Sequence, residues 1–434
     1  MAVAEPSHRR RRPPAVPRRG TTEGATLTTT ETGAPSPVDW VHDFDILDPL
    51  YITDPASVWN LLRRDCPIAH TERRGSTWLP VSYDDIQAIA HDPELFSSRD
   101  VSVITPGREE DPHRQIPLIA PPITSDPPDH TWARRMLLPR FGPSAIDAME
   151  VTTQAAATEL IDRFADAGRA DAAVDYAQHI PVRVIATMLG VPLEDEEIFT
   201  GWAVRVLQEG IQNIEAATDA VMELITYFSD KLTERETSEP EGRPDDLLTF
   251  IVEARHDGEP LSPQHQIGAC FLLLLAGIDT TWSAIGSSLW HLATHPDDQA
   301  RLRAEPDLMP AAVEEFLRFY SPVTMARSVT RETEVHGCPM HAGDKILMAF
   351  PAGNRDPAMF TNPDQFQIDR AANRHFAFGS GIHRCLGSNL ARMELRVAIE
   401  LFLARIPTFE LSDADLVTWS GGQVRGPRRV PIRW

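Results

Sequence analysis

Apolar residues recur at helical spacing along most of the chain. Segments 145–167, 176–189, 214–235, Pro263–Thr294, Met309–Phe319 and 386–406 each repeat them three and four positions apart, which predicts helices with a buried face. Strand patterns occur in two places. In 67–83, Ile68, Trp78, Leu79 and Val81 flank the turn Arg74-Gly75-Ser76; in 328–350, β-branched residues surround Gly337 and Gly343. Two long stretches, 98–128 and 355–381, follow neither period. The second exceeds the usual loop length, and loops of that kind tend to be functional. The pattern predicts a mostly α fold with a small β lobe near the N-terminus and further strands after residue 320. Before Trp40 it stops: residues 1–38 are rich in Arg, Pro, Thr, Gly and Ala, which predicts a disordered basic tail. Residues 39–434 read as one domain.

Composition narrows the function more than the fold. A hydrophobic share of 42% supports a sizeable core, and a net charge of −22 disfavours the attraction to phosphates that nucleic-acid binding needs. No apolar run approaches the roughly 18 residues of a membrane span, so no membrane anchor is expected. The basic N-terminus lacks the apolar core of a secretory signal. The 4 cysteines, Cys66, Cys270, Cys338 and Cys385, form no CxxC pair and no regular spacing. Neither a disulfide framework nor a zinc site is indicated, which fits a reducing, cytoplasmic compartment.

Cys385 stands apart from the other three. It ends Phe378-Gly379-Ser380-Gly381-Ile382-His383-Arg384-Cys385-Leu386-Gly387, where two glycines permit a tight reversal. Leu386, Leu390, Met393, Val397 and Leu401 then mark one helix face, so the helix is expected to begin at the cysteine. Free N–H groups at a helix start favour a thiolate, and a thiolate is the haem ligand that promotes O–O cleavage. Cys66, Cys270 and Cys338 read as small core residues.

The pattern Phe-Gly-x-Gly-x-His-x-Cys-x-Gly resembles the haem-binding loop of the cytochrome P450 superfamily. By average residue usage it arises by chance in roughly a few chains per million. Four further segments resemble the same family in the same order: Asp126 to Arg134, Ala276 to Thr281, Glu315 to Arg318, and Gly353 to Phe366. The likeness spans about residues 40–434, and implies the family's fold with haem b (iron protoporphyrin IX) between the long central helix and the cysteine-loop helix. It implies Cys385 as iron ligand, with Phe378, Gly379 and Ala276 beside the haem. His130, Arg134, Arg327 and His383 become the clamp for its propionates. Asp279 is implied to relay protons from solvent and Thr280 to donate a hydrogen bond. Glu315 and Arg318 become a structural pair buried against Arg370 or its neighbours.

The resemblance implies a monooxygenase using O2 and electrons from a separate ferredoxin and ferredoxin reductase to oxidise an apolar small molecule. Ala276, Thr280, Val323, Thr324 and parts of 101–123 are the expected substrate lining. A basic patch of Arg134, Arg135, Arg140, Arg384 and Arg392 is the expected ferredoxin dock. A peroxide-driven peroxygenase, oxidative coupling or nitration, and a haem-thiolate sensor or carrier remain alternatives. The acid–alcohol pair Asp279-Thr280 favours O2 use over both the peroxygenase and the carrier.

Overall fold

The stretch after Ser262 forms the longest helix, Pro263–Thr294, in a computed structural model that describes residues 38–105 and 119–434. Apart from Val38, the expected tail lies outside the described residues, as do residues 106–118 of the expected substrate lining. Ser262 caps the helix by accepting the His265 N–H, and Pro263 fills a first-turn position where no donor is needed. Helices His179–Leu189, Glu196–Leu207, Ile214–Thr237 and Ser388–Arg405 pack around it. By length and composition it is apolar enough to cross a membrane, but most of that stretch is buried inside the fold. A helix enclosed on most sides is a core helix.

Several predicted helices end where local chemistry ends them. The 214–235 pattern becomes Ile214–Thr237, and Met309–Phe319 holds its predicted bounds. The 145–167 pattern divides into Pro143–Asp147 and Glu150–Asp162. Helix His179–Leu189 stops at Gly190, whose φ of +79° suits glycine and where a Cβ would overlap the Asp246 carboxylate. The cysteine-loop helix starts at Ser388 rather than at Cys385, because the turn 381–383 and Gly387 carry the chain into it. Helices Pro55–Asp65 and Tyr83–His91 were not predicted; each is short, capped by Asp54 or Ser82, and packs on the β lobe.

The two strand regions meet in one sheet. Its order is Ile68–Thr71, Thr77–Pro80, Lys345–Met348, Met325–Val329 and Phe96–Ser97. Lys345 and Ile346 pair in parallel with Thr77 and Trp78, while Lys345 to Met348 run antiparallel to Ser328 to Met325. This long-range pairing places Arg327 on a strand whose residues are nearly all buried. The C-terminal residues form a further hairpin, Thr418–Trp419 with Pro427–Arg429, which lies against the long helix. There Pro427 is 3.2 Å from where a Cβ on Gly286 would stand.

Candidate active site

Cys385 is held by its loop rather than by a helix. Its backbone N–H donates to the Phe378 carbonyl at 2.7 Å, closing the reversal predicted from the two glycines. Gly379 has φ +68° and Gly381 φ +69°, and a Cβ on Gly381 would lie 2.0 Å from the Ala90 carbonyl oxygen. That approach locks the loop against the end of helix Tyr83–His91. The Cys385 side chain is exposed on one side and enclosed by protein on the others. Enclosure raises its pKa; the Gly387 N–H and the charges of Arg134, Arg384 and Arg392 act in the opposite direction. Phe378 packs under Arg392, whose guanidinium lies 4.3 Å from the ring centre and bonds Glu314. Of the other cysteines, Cys270 is buried, whereas Cys66 and Cys338 are only partly so.

His130, Arg134, Arg327 and His383 come together from three separate segments. The His130 and His383 rings are 4.3 Å apart, and Arg134 donates to the Arg384 carbonyl at 2.5 Å, beside Cys385. Neither His130 Nε2 nor His383 Nε2 has a hydrogen-bond partner, although both atoms are buried. Burial lowers the pKa of each group. His383 is pushed down to about 2, with Arg327, His130 and Arg134 adding to the effect, and Arg327 falls to about 10. Asp126 is the acid that offsets Arg327, and it already accepts from Ser97 and Ser98. Uncompensated buried cations and orphaned donors are costly, so such a cluster calls for an anion. Two carboxylates would complete it by charge-assisted bonds. The residues present therefore fit a haem beside Cys385, whose propionates would supply those carboxylates.

On the long helix Ala276 is exposed and Thr280 half-buried, one turn apart on the same face. Thr280 Oγ1 donates to the Ala276 carbonyl at 2.8 Å. The helix runs unbroken through Gly277, where a Cβ would make ordinary contact with Ile185 at 3.6 Å. Asp279 faces elsewhere and has 0% exposure, so it does not itself reach solvent. Its Oδ1 pairs with Arg428 Nη1 at 2.6 Å and accepts from Gln208 Nε2 at 3.1 Å, while Oδ2 has no partner. Burial raises the pKa of Asp279, opposed by Arg428 and Gln208. Val323 bridges to Val424, and the buried Thr324 donates its N–H to the Gln423 carbonyl. Both therefore flank the tip of the C-terminal hairpin.

Glu315 and Arg318 are fully buried and joined by two 2.8 Å hydrogen bonds. Arg370 and the Gln367 N–H also bind Glu315, and Arg318 donates to the carbonyls of Asn354, Pro363 and Gln365. This network ties the segment leading to the cysteine loop onto helix Met309–Phe319. Sequence reasoning missed three groups. Arg428 and Gln208 lie far along the chain from Asp279. Glu394 did carry a signal, being one residue from Met393 on the buried face; burial pushes it up to about 8 despite its bond from Thr281.

Comparison with known proteins agrees with this geometry. Residues 204–415 match the family model for cytochrome P450. The chain is 32% identical to the mycinamicin IV hydroxylase/epoxidase of Micromonospora griseorubida, over 82% of this chain and 89% of that protein. It is 34% identical to the vitamin D(3) 25-hydroxylase of Pseudonocardia autotrophica, covering 89% of this chain and 96% of that one. Among solved structures, the bacillaene polyketide synthase cytochrome P450 PksS of Bacillus subtilis 168 superimposes with a TM-score of 0.79. That match is 30% identical and covers 90% of this chain and 99% of PksS.

Proposed function

The chain belongs to the cytochrome P450 family and is a haem-thiolate monooxygenase, and from that premise we propose a specific working arrangement. Cys385 Sγ is the iron ligand of haem b, held by the Gly387 N–H and the Phe378–Cys385 backbone bond. His130, Arg134, Arg327 and His383 bind the propionates, and Phe378, Gly379 and Ala276 border the ring. When bound, the haem supplies the iron at which dioxygen is activated and one oxygen atom is passed to the substrate. The observation that carries this reading is the cluster of two buried, unpartnered imidazole nitrogens and two arginines, joined through Arg134 to the cysteine loop.

The chain's own residues divide the remaining work. Ala276 and Thr280 present the open face of the long helix, and Val323 and Thr324 flank it at the hairpin tip. Thr280 then turns its hydroxyl from the Ala276 carbonyl to a proton acceptor in the pocket, and Asp279 replaces that proton. The substrate is an apolar small molecule; the relatives named above carry mycinamicin IV and vitamin D(3) in their names. Electrons come from a separate ferredoxin and ferredoxin reductase. No acid among the described residues pairs with Arg135 or Arg384, whereas Arg140 is tied to Asp245 and Arg392 to Glu314. The first two are thus the available part of the expected docking patch. The acidic net charge suits a soluble, cytoplasmic enzyme.

The test is turnover with ferredoxin, its reductase and isotopically labelled dioxygen, using apolar candidates first selected by a spin-state shift. One labelled oxygen atom per product molecule is expected. Steady binding with no reductant consumption by any candidate would instead indicate a carrier.

A further inference from the structure

Glu314 and Glu315 are neighbours on helix Met309–Phe319 with different surroundings. Glu315 is fully buried and anchors the segment leading to the cysteine loop. Glu314 keeps 30% exposure and turns to another helix. Its carboxylate accepts twice from Arg392, Nε to Oε1 at 2.5 Å and Nη2 to Oε2 at 2.9 Å, and lies 3.1 Å from His375 Nε2. His375 is a fixed partner: its side chain has 2% exposure, and its Nδ1 accepts the Ala377 N–H at 3.1 Å. That bond leaves the ring proton on Nε2, so a neutral His375 donates to Glu314. Burial raises the pKa of Glu314, but the bonds from Arg392 and His375 outweigh it and hold the group at about 2. Glu314 is therefore an anion across the neutral range.

The guanidinium held in this way faces the cysteine loop. Arg392 belongs to helix Ser388–Arg405, and its guanidinium lies 4.3 Å from the Phe378 ring centre. A cation over an aromatic face is attracted by the negative charge of that face. Phe378 in turn carries the carbonyl that accepts the Cys385 N–H. Arg134, Arg384 and Arg392 are the three cations whose charge acts on Cys385. Only Arg392 has a carboxylate partner among the described residues; Arg134 donates to the Arg384 carbonyl. The pair is thus oriented, with its cation on Phe378 and acting on Cys385, and its anion on helix Met309–Phe319.

Reduction of iron at Cys385 would add an electron beside a thiolate that is already negative. A nearby cation favours the added charge, and a carboxylate that neutralises the cation opposes it. We propose that Arg392 and Glu314 form a charge pair that sets the reduction potential of the haem iron, Arg392 raising it and Glu314 limiting the rise. Glu314 is a positioning residue, because it acts only through Arg392, and His375 fixes its carboxylate. The balance has a purpose: a higher potential eases electron entry, whereas a stronger push from the thiolate favours O–O cleavage. The proposal rests on the haem-thiolate reading.

The test is spectroelectrochemical titration of the substrate-free, haem-loaded protein beside Glu314→Gln, Arg392→Gln, Arg392→Lys and the double variant Glu314→Gln/Arg392→Gln. Glu314→Gln leaves the cation unbalanced and should raise the potential. Arg392→Gln leaves the anion unbalanced and should lower it. Each shift should be about tenfold in the reduction equilibrium, which is about 59 mV for a one-electron couple. The double variant should fall between the two, and Arg392→Lys, which keeps the charge, should stay nearer the wild type than Arg392→Gln. A pair that only braces the loop behaves otherwise: both single variants break the same contact, so they move the potential in the same direction or leave it alone. Either of those patterns would overturn the proposal. Melting temperature and the absorption spectrum report folding, haem loading and spin state in each variant. Should Arg392→Gln fail to load, Glu314→Gln still decides, since a potential that does not rise there is enough to reject the pair. The reduced, carbon monoxide-bound spectrum of the wild type is read first. Absence of its red-shifted band counts against the haem-thiolate reading, whereas its presence with unmoved potentials counts against the charge pair alone.

Discussion

Replacing Arg428 with methionine removes the cation that pairs with a fully buried carboxylate while keeping an apolar stem over Trp282. Breaking a buried pair from one side costs about 3–5 kcal/mol if the remaining charge persists. Asp279 has an escape, which is to take up a proton. Burial already raises its pKa above the unfolded value, and loss of Arg428 removes the largest opposing effect. For a group whose folded pKa is raised, the stabilising contribution is complete below the unfolded pKa and is lost as pH rises through the folded one. The variant should therefore lose little stability at acidic pH, below the raised pKa of Asp279, and progressively more as pH rises through it. At about 2.1 cal/mol/K of unfolding entropy per residue, a loss of about 3–5 kcal/mol lowers Tm by about 3–5 °C in a chain this long. Thermal melts of both proteins across that pH range provide the assay. In an Asp279→Asn background the same substitution should cost much less, since the two side chains are coupled. An equal Tm loss at every pH, unchanged by Asp279→Asn, would refute the reasoning and reduce Arg428 to a packing residue.

Three further outcomes are expected. Thr280→Ala should lower product formed per electron and raise peroxide release, measured together in one turnover assay, because the pocket loses its hydroxyl donor. Arg135→Glu should slow reduction by ferredoxin and weaken its salt dependence, with stopped-flow reduction as the check; an unchanged rate would remove Arg135 from the docking surface. Glu394 is pushed up to about 8 by burial, so the wild type should lose stability as pH rises from about 5 toward 8. Glu394→Gln, neutral throughout, should flatten that slope in thermal melts.

The parts of the site that were legible in the sequence are those set by short segments. The Phe378–Cys385 reversal needs glycines at two positions, and the Glu315–Arg318 pair needs only helical spacing to meet. The cation clamp was legible only through resemblance, since His130, Arg327 and His383 meet by the packing of distant elements. The start of the cysteine-loop helix was misplaced because the apolar period runs on through Leu386, while the 381–383 turn and Gly387 decide where helical geometry begins. Arg428 gave no local signal at all. It lies among several arginines on a short terminal strand, and only the hairpin's position across the long helix singles it out. The sheet was half legible: both strand regions were evident, but their pairing through Thr77 and Lys345 is a tertiary choice.

The most direct test of the central claim is the absorption spectrum of the purified protein, reduced and exposed to carbon monoxide. A strongly red-shifted Soret band is predicted, reporting haem iron held by the Cys385 thiolate, and Cys385→Ser should abolish it. A band at the position of histidine-ligated haem in the wild type, or no haem despite its supply during expression, would contradict the account.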